Sequence, residues 1–383
     1  MPEKREVVVS GMRPTGRLHL GNYWGALKNW IALSQAHDCY FFVADWHMLT
    51  TGYEDTSKLK DNSREMVLDW LAAGLDPQKC VVFKQSDVPE HAELALMLGM
   101  VTPLALLENN PTWKEHLQEL AKTKETLMRE QVDAIQRAEQ RASKEGTLTK
   151  TGALLKLEEN LPAGKHIAHE LRTHGFIGYP VLQAADILLY RGARVPVGQD
   201  QVAHVELSRE IARRFNAVFG DSLVEPQPLL TPTPKVPGLD GRKMSKSYNN
   251  AIELYESEDS LKKKVMTAYT DPTRIKATDP GNPEPCPANP PGCSVFALHK
   301  LYADAEFVSR RGEECRAGKI GCVACKKDLL AEMEPAYANF RKAREGFAAK
   351  PGLVEEILAD GAQKARAVAQ ETMKKVRNAM GIS

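Results

Sequence analysis

The sequence predicts an α/β fold with a parallel sheet, followed by a mostly helical second domain. Two observations support this prediction. Over the first part of the 383-residue chain, short apolar runs alternate with segments whose apolar side chains have helical spacing. Beyond Asp259 the pattern is helical, apart from a loop rich in proline, glycine and cysteine at residues 279–292. We therefore divide the chain into an α/β domain, residues 1–250, and a helical domain, residues 251–383.

The predicted elements of the α/β domain follow one another in a regular order. Residues 7–11, 39–44 and 81–83 are short apolar runs and predict strands, whereas residues 22–34, 58–73 and 201–216 have helical spacing. A charged stretch at about 115–172 is interpreted as an inserted hairpin of solvated helices. Ligands of parallel sheets bind outside the carboxyl ends of the strands. The glycine-rich turn after the first strand is therefore expected to carry the chemistry.

The composition is that of an ordinary globular chain and excludes a disordered one. Charged residues make up 26% and hydrophobic residues 43%, with 51 basic against 50 acidic side chains. No apolar stretch reaches the roughly 20 residues that a bilayer requires, and residues 1–9 lack a signal-peptide core. These features predict a cytoplasmic protein with no membrane partner. A net charge of +1 neither requires nor excludes a nucleic acid.

The first motif with chemical content lies at residues 10–22, where the first strand turns into a helix. It contains Gly11, Gly16 and Gly21, together with His19 and Asn22. Exposed backbone N–H groups with a helix N-terminus behind them suit a triphosphate, and glycine allows close approach of the ligand. The alternative interpretation is a tight turn with a capping histidine.

The second motif is a Lys-Met-Ser-Lys-Ser segment at residues 243–247, flanked by proline and glycine. It places two ammonium groups, those of Lys243 and Lys246, three residues apart. Lysines on a mobile loop can follow the negative charge that develops on a transferring pyrophosphate. Taken alone, such a segment is more often an exposed loop.

Together the two motifs, about 220 residues apart, resemble the paired signatures of the class I aminoacyl-tRNA synthetases. The spacing of residues 10–27 resembles the tryptophanyl enzymes, which carry an asparagine, here Asn22, where most relatives have a second histidine. Further similar blocks occur in family order at residues 45–47, 85–91, 179–190 and 195–201. The resemblance implies a Rossmann-like catalytic domain, a helical anticodon-binding domain, and a homodimer that uses ATP with Mg²⁺, L-tryptophan and tRNA(Trp).

The resemblance also implies which residues act on ATP. Lys243, Lys246 and Lys114 would be catalytic, through contacts with the phosphates. The positions similar to the family's ATP-binding residues are Arg13, Pro14, Thr15, His19, Gly21, Asn22, Gly198, Gln199, Asp200, Val236, Lys243, Met244, Ser245, Lys246 and Ser247.

A pocket for an indole needs apolar walls and one buried acceptor for the single N–H. Asp186, inside the apolar run 184–189, fits that requirement, although a capping or salt-bridged carboxylate fits equally well on position alone. The resemblance favours the indole acceptor, and it adds a set of tryptophan-binding positions: Tyr179, Gln183, Gln201, Val195 and Val197.

Gln183 departs from the tryptophanyl pattern, which has methionine there in many members. The tyrosyl enzymes carry a Gln and an Asp at this spacing, so a tyrosyl enzyme is one alternative. Against it, the tyrosyl pattern has histidine in place of Asn22 and a tyrosine in the first strand, where this chain has valines at 7–9. A non-catalytic, synthetase-like RNA-binding protein is the other alternative.

Four cysteines in the helical domain have the spacing C-x21-C-x6-C-x2-C: Cys293, Cys315, Cys322 and Cys325. Such a set suits zinc or an iron–sulfur cluster, and spacing alone does not separate them. The pattern resembles a subset of tryptophanyl enzymes with a [4Fe–4S] cluster, which implies iron. Cys286 is an alternative first ligand, and four reduced thiols without metal are the simplest alternative.

Overall fold

A computed structural model describes residues 5–110, 113–114, 173–192, 194–198, 201–230 and 236–382. Five parallel strands form one sheet in the order β3-β2-β1-β4-β5: β1 (Val7–Met12), β2 (Asp38–Val43), β3 (Val81–Lys84), β4 (Arg194–Val197) and β5 (Gln227–Leu230). The predicted α/β fold with a parallel sheet is confirmed. The strand order reverses between β1 and β4, which opens a crevice at their carboxyl ends.

Helices cover the sheet in the first part of the described chain: α1 (Leu20–Asn22), α2 (Lys28–Leu33), α3 (Asp45–Gly52), α4 (Leu59–Ala72), α5 (Glu90–Val101), α6 (Leu104–Glu108), α7 (His174–Leu189) and α8 (Val202–Phe219). A π-helical turn, Tyr23–Leu27, joins α1 to α2. The predicted helices at 58–73 and 201–216 correspond to α4 and α8. Met66, Val67 and Trp70 of α4 are fully buried because they share one helical face. The predicted hairpin at about 115–172 lies outside the described residues.

The C-terminal part is helical, as expected: α9 (Glu258–Thr267), α10 (Ser294–Tyr302), α11 (Ala305–Arg316), α12 (Cys322–Ala348) and α13 (Leu353–Met380). Helix α13 packs directly on β3. A Cβ added to Gly361 would stand 1.8 Å from the Val82 carbonyl oxygen, so only glycine permits this approach. Ala362, Ala365 and Ala369 of α13 are buried in the same core as β3. The C-terminal helices therefore share a hydrophobic core with the sheet.

None of the helices in the described ranges is long and apolar enough to cross a membrane.

Candidate active site

A cavity of about 330 Å³ lies at the reversal of strand order, outside the carboxyl ends of β1 and β4. Its walls come from the turn after β1, from the helical segment that follows and from the end of β4: Ser10, Gly11, Met12, Arg13, Thr15, Asn22, Gly25, Ala26, Asn29, Trp30, Pro196, Val197 and Gly198. The turn therefore lies where the sequence predicts the chemistry. Gly25, Asn29 and Trp30 were not predicted as site residues, although they lie one and two helical turns after Asn22.

The turn is built by glycines and by an asparagine cap. Gly16 has a φ of +89°, and a Cβ on Gly11 would lie 2.5 Å from the Phe42 ring. Asn22 Oδ1 accepts a hydrogen bond from the backbone N–H of His19 at 3.1 Å. His19 is the N-cap residue of α1, and the Asn22 side chain and the His19 ring face each other's backbone N–H groups in a capping box.

His19 is a neutral side chain at pH 7. Burial, with the nearby Lys246 charge, lowers the pKa of His19 to about 4. Its buried Nδ1 has no hydrogen-bond partner among the described residues. A buried polar atom without a hydrogen bond is costly, and a ligand at this turn would supply one.

The loop at residues 236–247, here called the lysine loop, contacts the turn after β1 through Lys246. The Lys246 Nζ donates to the carbonyl oxygen of Thr15 at 2.8 Å. Burial lowers the pKa of this ammonium group. The loop itself is held by Asn250, whose Oδ1 accepts from the backbone N–H of Ser245 at 2.8 Å. Val236 and Met244 are buried beneath the loop, and Lys243 and Ser247 are exposed. The fold therefore joins the two sequence motifs at one edge of the cavity.

The other predicted ATP residues occupy different places. Arg13 lines the cavity, and its guanidinium donates to Thr51 Oγ1 at 2.5 Å. Pro14 is buried in the turn, whereas Lys114 is exposed. Gln199 and Asp200 lie outside the described residues.

Asp186 is buried on α7 and is surrounded by hydrogen-bond donors. It is 2% exposed. Gln85 Nε2 lies 2.8 and 3.0 Å from its two oxygens, His47 Nε2 lies 2.8 Å from Oδ2, and His91 Nδ1 lies 2.6 Å from Oδ1. Burial acts to raise the pKa of Asp186, but the two imidazoles outweigh it, and the pKa lies below its usual value. The group is an ionised acceptor in an apolar surrounding.

His91 extends this network to Tyr190. Its Nε2 lies 2.7 Å from the Tyr190 hydroxyl, and its side chain has no exposed surface. With Nδ1 donating to the carboxylate and Nε2 accepting from the tyrosine, one tautomer of the ring satisfies both contacts. The sequence places Gln85 and His91 in blocks similar to the family, yet predicts no role for them. Gln85 directly follows β3, and a polar side chain at the carboxyl end of a buried strand was the available signal.

The predicted tryptophan-binding residues lie on α7, on β4 and at the start of α8. Gln183 is half-buried, three residues before Asp186 on α7, so the two side chains share a helix face. The Tyr179 ring centroid is 6.4 Å from that of His47. Val195 is buried and Val197 half-buried, in one apolar cluster. Gln201 caps α8 and is exposed.

The four predicted cysteines line one cavity in the helical part of the chain, and Cys286 is absent from its lining. Cys293 precedes α10, Cys315 lies in the last turn of α11, and Cys322 and Cys325 form the first turn of α12. Donors surround the thiols. Arg274 Nη1 is 3.8 Å from the sulfurs of Cys315 and Cys322, and His299 Nε2 is 3.5 Å from that of Cys325.

The thiols lie together without forming the site of a single metal ion. Among the described residues, no group of three or more His, Cys, Asp or Glu side chains is placed to hold one ion. Burial raises the pKa of Cys293 to about 11 and that of Cys325 to about 12. A Cβ on Gly281 would lie 2.8 Å from the Cys315 sulfur, so glycine keeps the space beside that thiol open.

Comparison with known proteins agrees with this arrangement. The sequence matches the family described as tRNA synthetases class I (W and Y) over residues 1–132 and 143–338. The tryptophan–tRNA ligase of Aquifex aeolicus is 46% identical over 98% of this chain and 99% of its own length. The tryptophan–tRNA ligase of Thermotoga maritima is 43% identical over the same shares of the two chains.

Solved structures lead to the same family. The tryptophanyl-tRNA synthetase from Campylobacter jejuni, complexed with ADP and tryptophan, is 32% identical with a TM-score of 0.72, and the match covers 98% of this chain and 99% of that one. A tyrosyl-tRNA synthetase from Archaeoglobus fulgidus shares 16% identity at a TM-score of 0.57, which supports a common fold alone. The chain belongs to the class I tRNA synthetases, in the family of the tryptophan–tRNA ligases.

Proposed function

We propose that this protein activates L-tryptophan with ATP and transfers the tryptophanyl group to tRNA(Trp). One observation carries the proposal: Lys246 contacts the carbonyl oxygen of Thr15, which lines the cavity outside β1 and β4, so the two class I motifs meet beside that cavity. An ammonium group, backbone N–H groups and a neutral histidine at one crevice suit a triphosphate. The buried acceptor Asp186 on α7 suits the indole of the amino acid.

The reaction needs no covalent nucleophile on the protein. The tryptophan carboxylate attacks the α-phosphate of ATP, and pyrophosphate leaves. Catalysis then depends on positioning and on stabilising the phosphate charge, for which we assign Lys246, Lys243 and Lys114. Mg²⁺ is expected to arrive with ATP, since it commonly binds through substrate phosphates. The turn at residues 10–22 and the loop at residues 236–247 are assigned to ATP.

Asp186 is assigned as the acceptor of the indole N–H, with Val195, Val197 and Gln183 as pocket walls. Its donors Gln85, His47 and His91 already fill the carboxylate's hydrogen-bonding capacity of about four contacts. His47 is the most exposed of these donors, with 13% of its side chain exposed against none for His91. We therefore expect His47 to yield its contact when the indole binds. Tyr179 and Gln201 are assigned to the amino group of tryptophan.

Pyrophosphate exchange measured with each of the 20 amino acids tests the proposal. We expect exchange with tryptophan alone and aminoacylation of tRNA(Trp). Exchange with tyrosine would support the tyrosyl alternative. Tight tRNA binding without any exchange would support a non-catalytic RNA-binding protein. A Lys246→Ala variant should lose exchange rate far more than ATP affinity, since its charge acts mainly in the transition state.

We further propose that Cys293, Cys315, Cys322 and Cys325 hold a [4Fe–4S] cluster. A four-iron cluster takes one thiolate at each iron, whereas a single zinc ion needs every sulfur about 2.3 Å from one point. Four thiols that line one cavity support the cluster. Arg274 and His299 supply donors beside the sulfurs. The cluster would stabilise the start of α12 and the neighbouring tRNA-facing helices.

Iron and sulfide analysis of anaerobically purified protein tests this assignment. We expect brown protein with about four irons per chain. Stoichiometric zinc, or colourless protein without metal, would contradict it. A Cys286→Ser variant should keep its iron, whereas Cys293→Ser should lose it, because Cys286 does not line the cavity.

We also propose that residues 1–250 form the catalytic domain and residues 251–383 the anticodon-binding domain. The protein is proposed to act in the cytoplasm as a homodimer. Leu96 and Met100 lie one helical turn apart on α5, Leu104 begins α6, and each is more than half exposed. Exposed apolar side chains of this kind suit a partner of the same chain. Light scattering should give a dimer, and Met100→Glu should shift it toward monomer.

A further inference from the structure

A buried ion pair connects the C-terminal helices to the ATP-binding turn. Arg344 lies near the end of α12 and is 4% exposed. Its Nε donates to Asp69 Oδ1 of α4 at 2.6 Å, and its Nη2 donates to Glu65 at 2.7 Å. The guanidinium also stacks over the Tyr255 ring, 4.4 Å from its centre. One side chain of α12 thus contacts both α4 and the segment that follows the lysine loop.

The other oxygen of Asp69 reaches the turn itself. Asp69 is completely buried, and its Oδ2 accepts from the backbone N–H of Leu18 at 2.6 Å. Leu18 is the residue before His19. A charge-assisted hydrogen bond of this length is among the stronger ones in proteins. Asp69 therefore fixes the backbone at the entry to the His19 turn.

The segment after the lysine loop fixes the same stretch from its other side. The carbonyl oxygen of Leu18 accepts from the Leu254 N–H at 2.8 Å, and the Leu20 N–H donates to the Ile252 carbonyl at 2.9 Å. Residues 18–20 are therefore held between residues 252–254 and Asp69. Arg344 is the cation that allows Asp69 to be ionised there, because a buried carboxylate without a partner takes up a proton.

We infer that Asp69 and Arg344 are positioning residues for the ATP step. Helix α12 supplies, through Arg344, the charge that keeps Asp69 bonded to Leu18 and so holds the His19 turn in its ligand-binding geometry. The inference rests on the proposed role of residues 10–22 in ATP binding. It places part of the control of adenylation in the C-terminal helices, some 275 residues away from Asp69 in sequence.

Pyrophosphate exchange with the full chain tests the inference. Arg344→Met should raise the KM for ATP about tenfold, because loss of the guanidinium weakens the hydrogen bond from the Leu18 N–H to the Asp69 carboxylate. The KM for tryptophan should change little, since Asp186 and its donors are not in contact with this pair. Arg344→Lys should restore part of the effect by returning a positive charge. The matched control is Arg377→Met, which removes another arginine pairing the C-terminal part with the α/β part, at Glu93, and should leave the KM for ATP unchanged.

The pH profile separates positioning from a merely structural role. The charged groups that face Asp69 are Arg344, Glu65, Arg17 and Lys246. Without Arg344, protonation of Asp69 should make kcat/KM for ATP fall more steeply toward low pH than in the wild type. In the Arg344→Met background, Asp69→Asn should abolish this added slope, because the amide that replaces the carboxylate does not titrate in this range.

Equal losses in the KM for ATP and for tryptophan, or the same loss in Arg377→Met, would overturn the inference. If Arg344→Met fails to fold, the double variant Asp69→Leu with Arg344→Met decides, because it leaves no acceptor for the Leu18 N–H: wild-type ATP kinetics in that variant would equally overturn it. Lys246→Ala, measured in the same assay, distinguishes failure of the Asp69–Arg344 inference from failure of the proposed ATP site. An unchanged ATP step in Lys246→Ala would mean that the ATP site itself is misassigned, whatever the Asp69 variants do.

Discussion

Two buried aspartates, Asp186 and Asp69, have different kinds of hydrogen-bond partner. Asp186 is held by the Gln85 amide and by the imidazoles of His47 and His91, and its pKa lies below the usual value. Asp69 is held by a full cation, Arg344, and by a backbone N–H, yet burial still raises its pKa. The first arrangement gives an ionised acceptor with one partly exposed donor, His47, that a ligand can replace. The second uses the charge to connect two parts of the chain.

The largest effect should come from breaking the Asp69 pair. Arg344→Met leaves a buried carboxylate without its cation, which should lower the free energy of unfolding by about 3–5 kcal/mol. Urea denaturation at pH 7 measures it. Replacing both residues, as Asp69→Leu with Arg344→Met, should cost much less than the sum of the single changes. Additive losses would show that the two side chains do not act as a pair.

The next effect concerns catalysis at Asp186. Asp186→Ala should reduce kcat/KM for tryptophan by roughly tenfold to a hundredfold or more, since a buried N–H without a partner costs roughly 1–3 kcal/mol. Binding of ATP, followed by calorimetry, should persist. Wild-type affinity for tryptophan in this variant would rule out Asp186 as the indole acceptor.

The opposite pKa shifts predict opposite responses of stability to pH. The pKa of Asp69 is raised in the folded state, so its ionised form lowers the free energy of unfolding. This loss disappears as pH falls through the folded pKa toward the unfolded value of about 3.9. The wild type should therefore gain stability relative to Asp69→Asn between about pH 7 and pH 4. Asp186, with a lowered pKa, contributes stability that is lost only below its unfolded value. The difference between the wild type and Asp186→Asn should stay constant over the same range in urea titrations.

A smaller effect is expected one step further along the Asp186 network. Tyr190→Phe removes the hydroxyl that donates to His91, which leaves His91 Nε2 without a partner, and should cost about 1 kcal/mol of stability. The KM for tryptophan should rise only slightly, because the Nδ1 contact to Asp186 stays. A loss as large as that of Asp186→Ala would mean that the tyrosine itself contacts the substrate.

The smallest effect is expected at Gln183, where this chain departs from the family pattern. Gln183→Met should change the discrimination between tryptophan and tyrosine by less than about threefold, because the residue is half-buried and shares a face with Asp186 without bonding it in the described structure. Competition in the exchange assay measures this ratio. A large gain of tyrosine activation in Gln183→Met would contradict the assignment of the pocket.

The sequence alone determined the parallel sheet, the turn after its first strand and the lysine loop. These features depend on local pattern: short apolar strands, glycines with positive φ such as Gly16, and a short run of lysine and serine. It also determined that Cys293, Cys315, Cys322 and Cys325 belong together, since their spacing is unusual. The family resemblance followed from these local features and is confirmed.

Only the tertiary structure decided what surrounds each buried charge. Arg344 and Asp69 are 275 residues apart, and His91 and Asp186 are 95 apart, so no local pattern links them. Position within an apolar run left Asp186 open to several interpretations, because burial of a carboxylate says that it must have partners but not which ones. Folding brings an amide and two imidazoles to Asp186 and a guanidinium to Asp69. That choice of partners, made by packing between distant helices, gives two chemically identical side chains different properties.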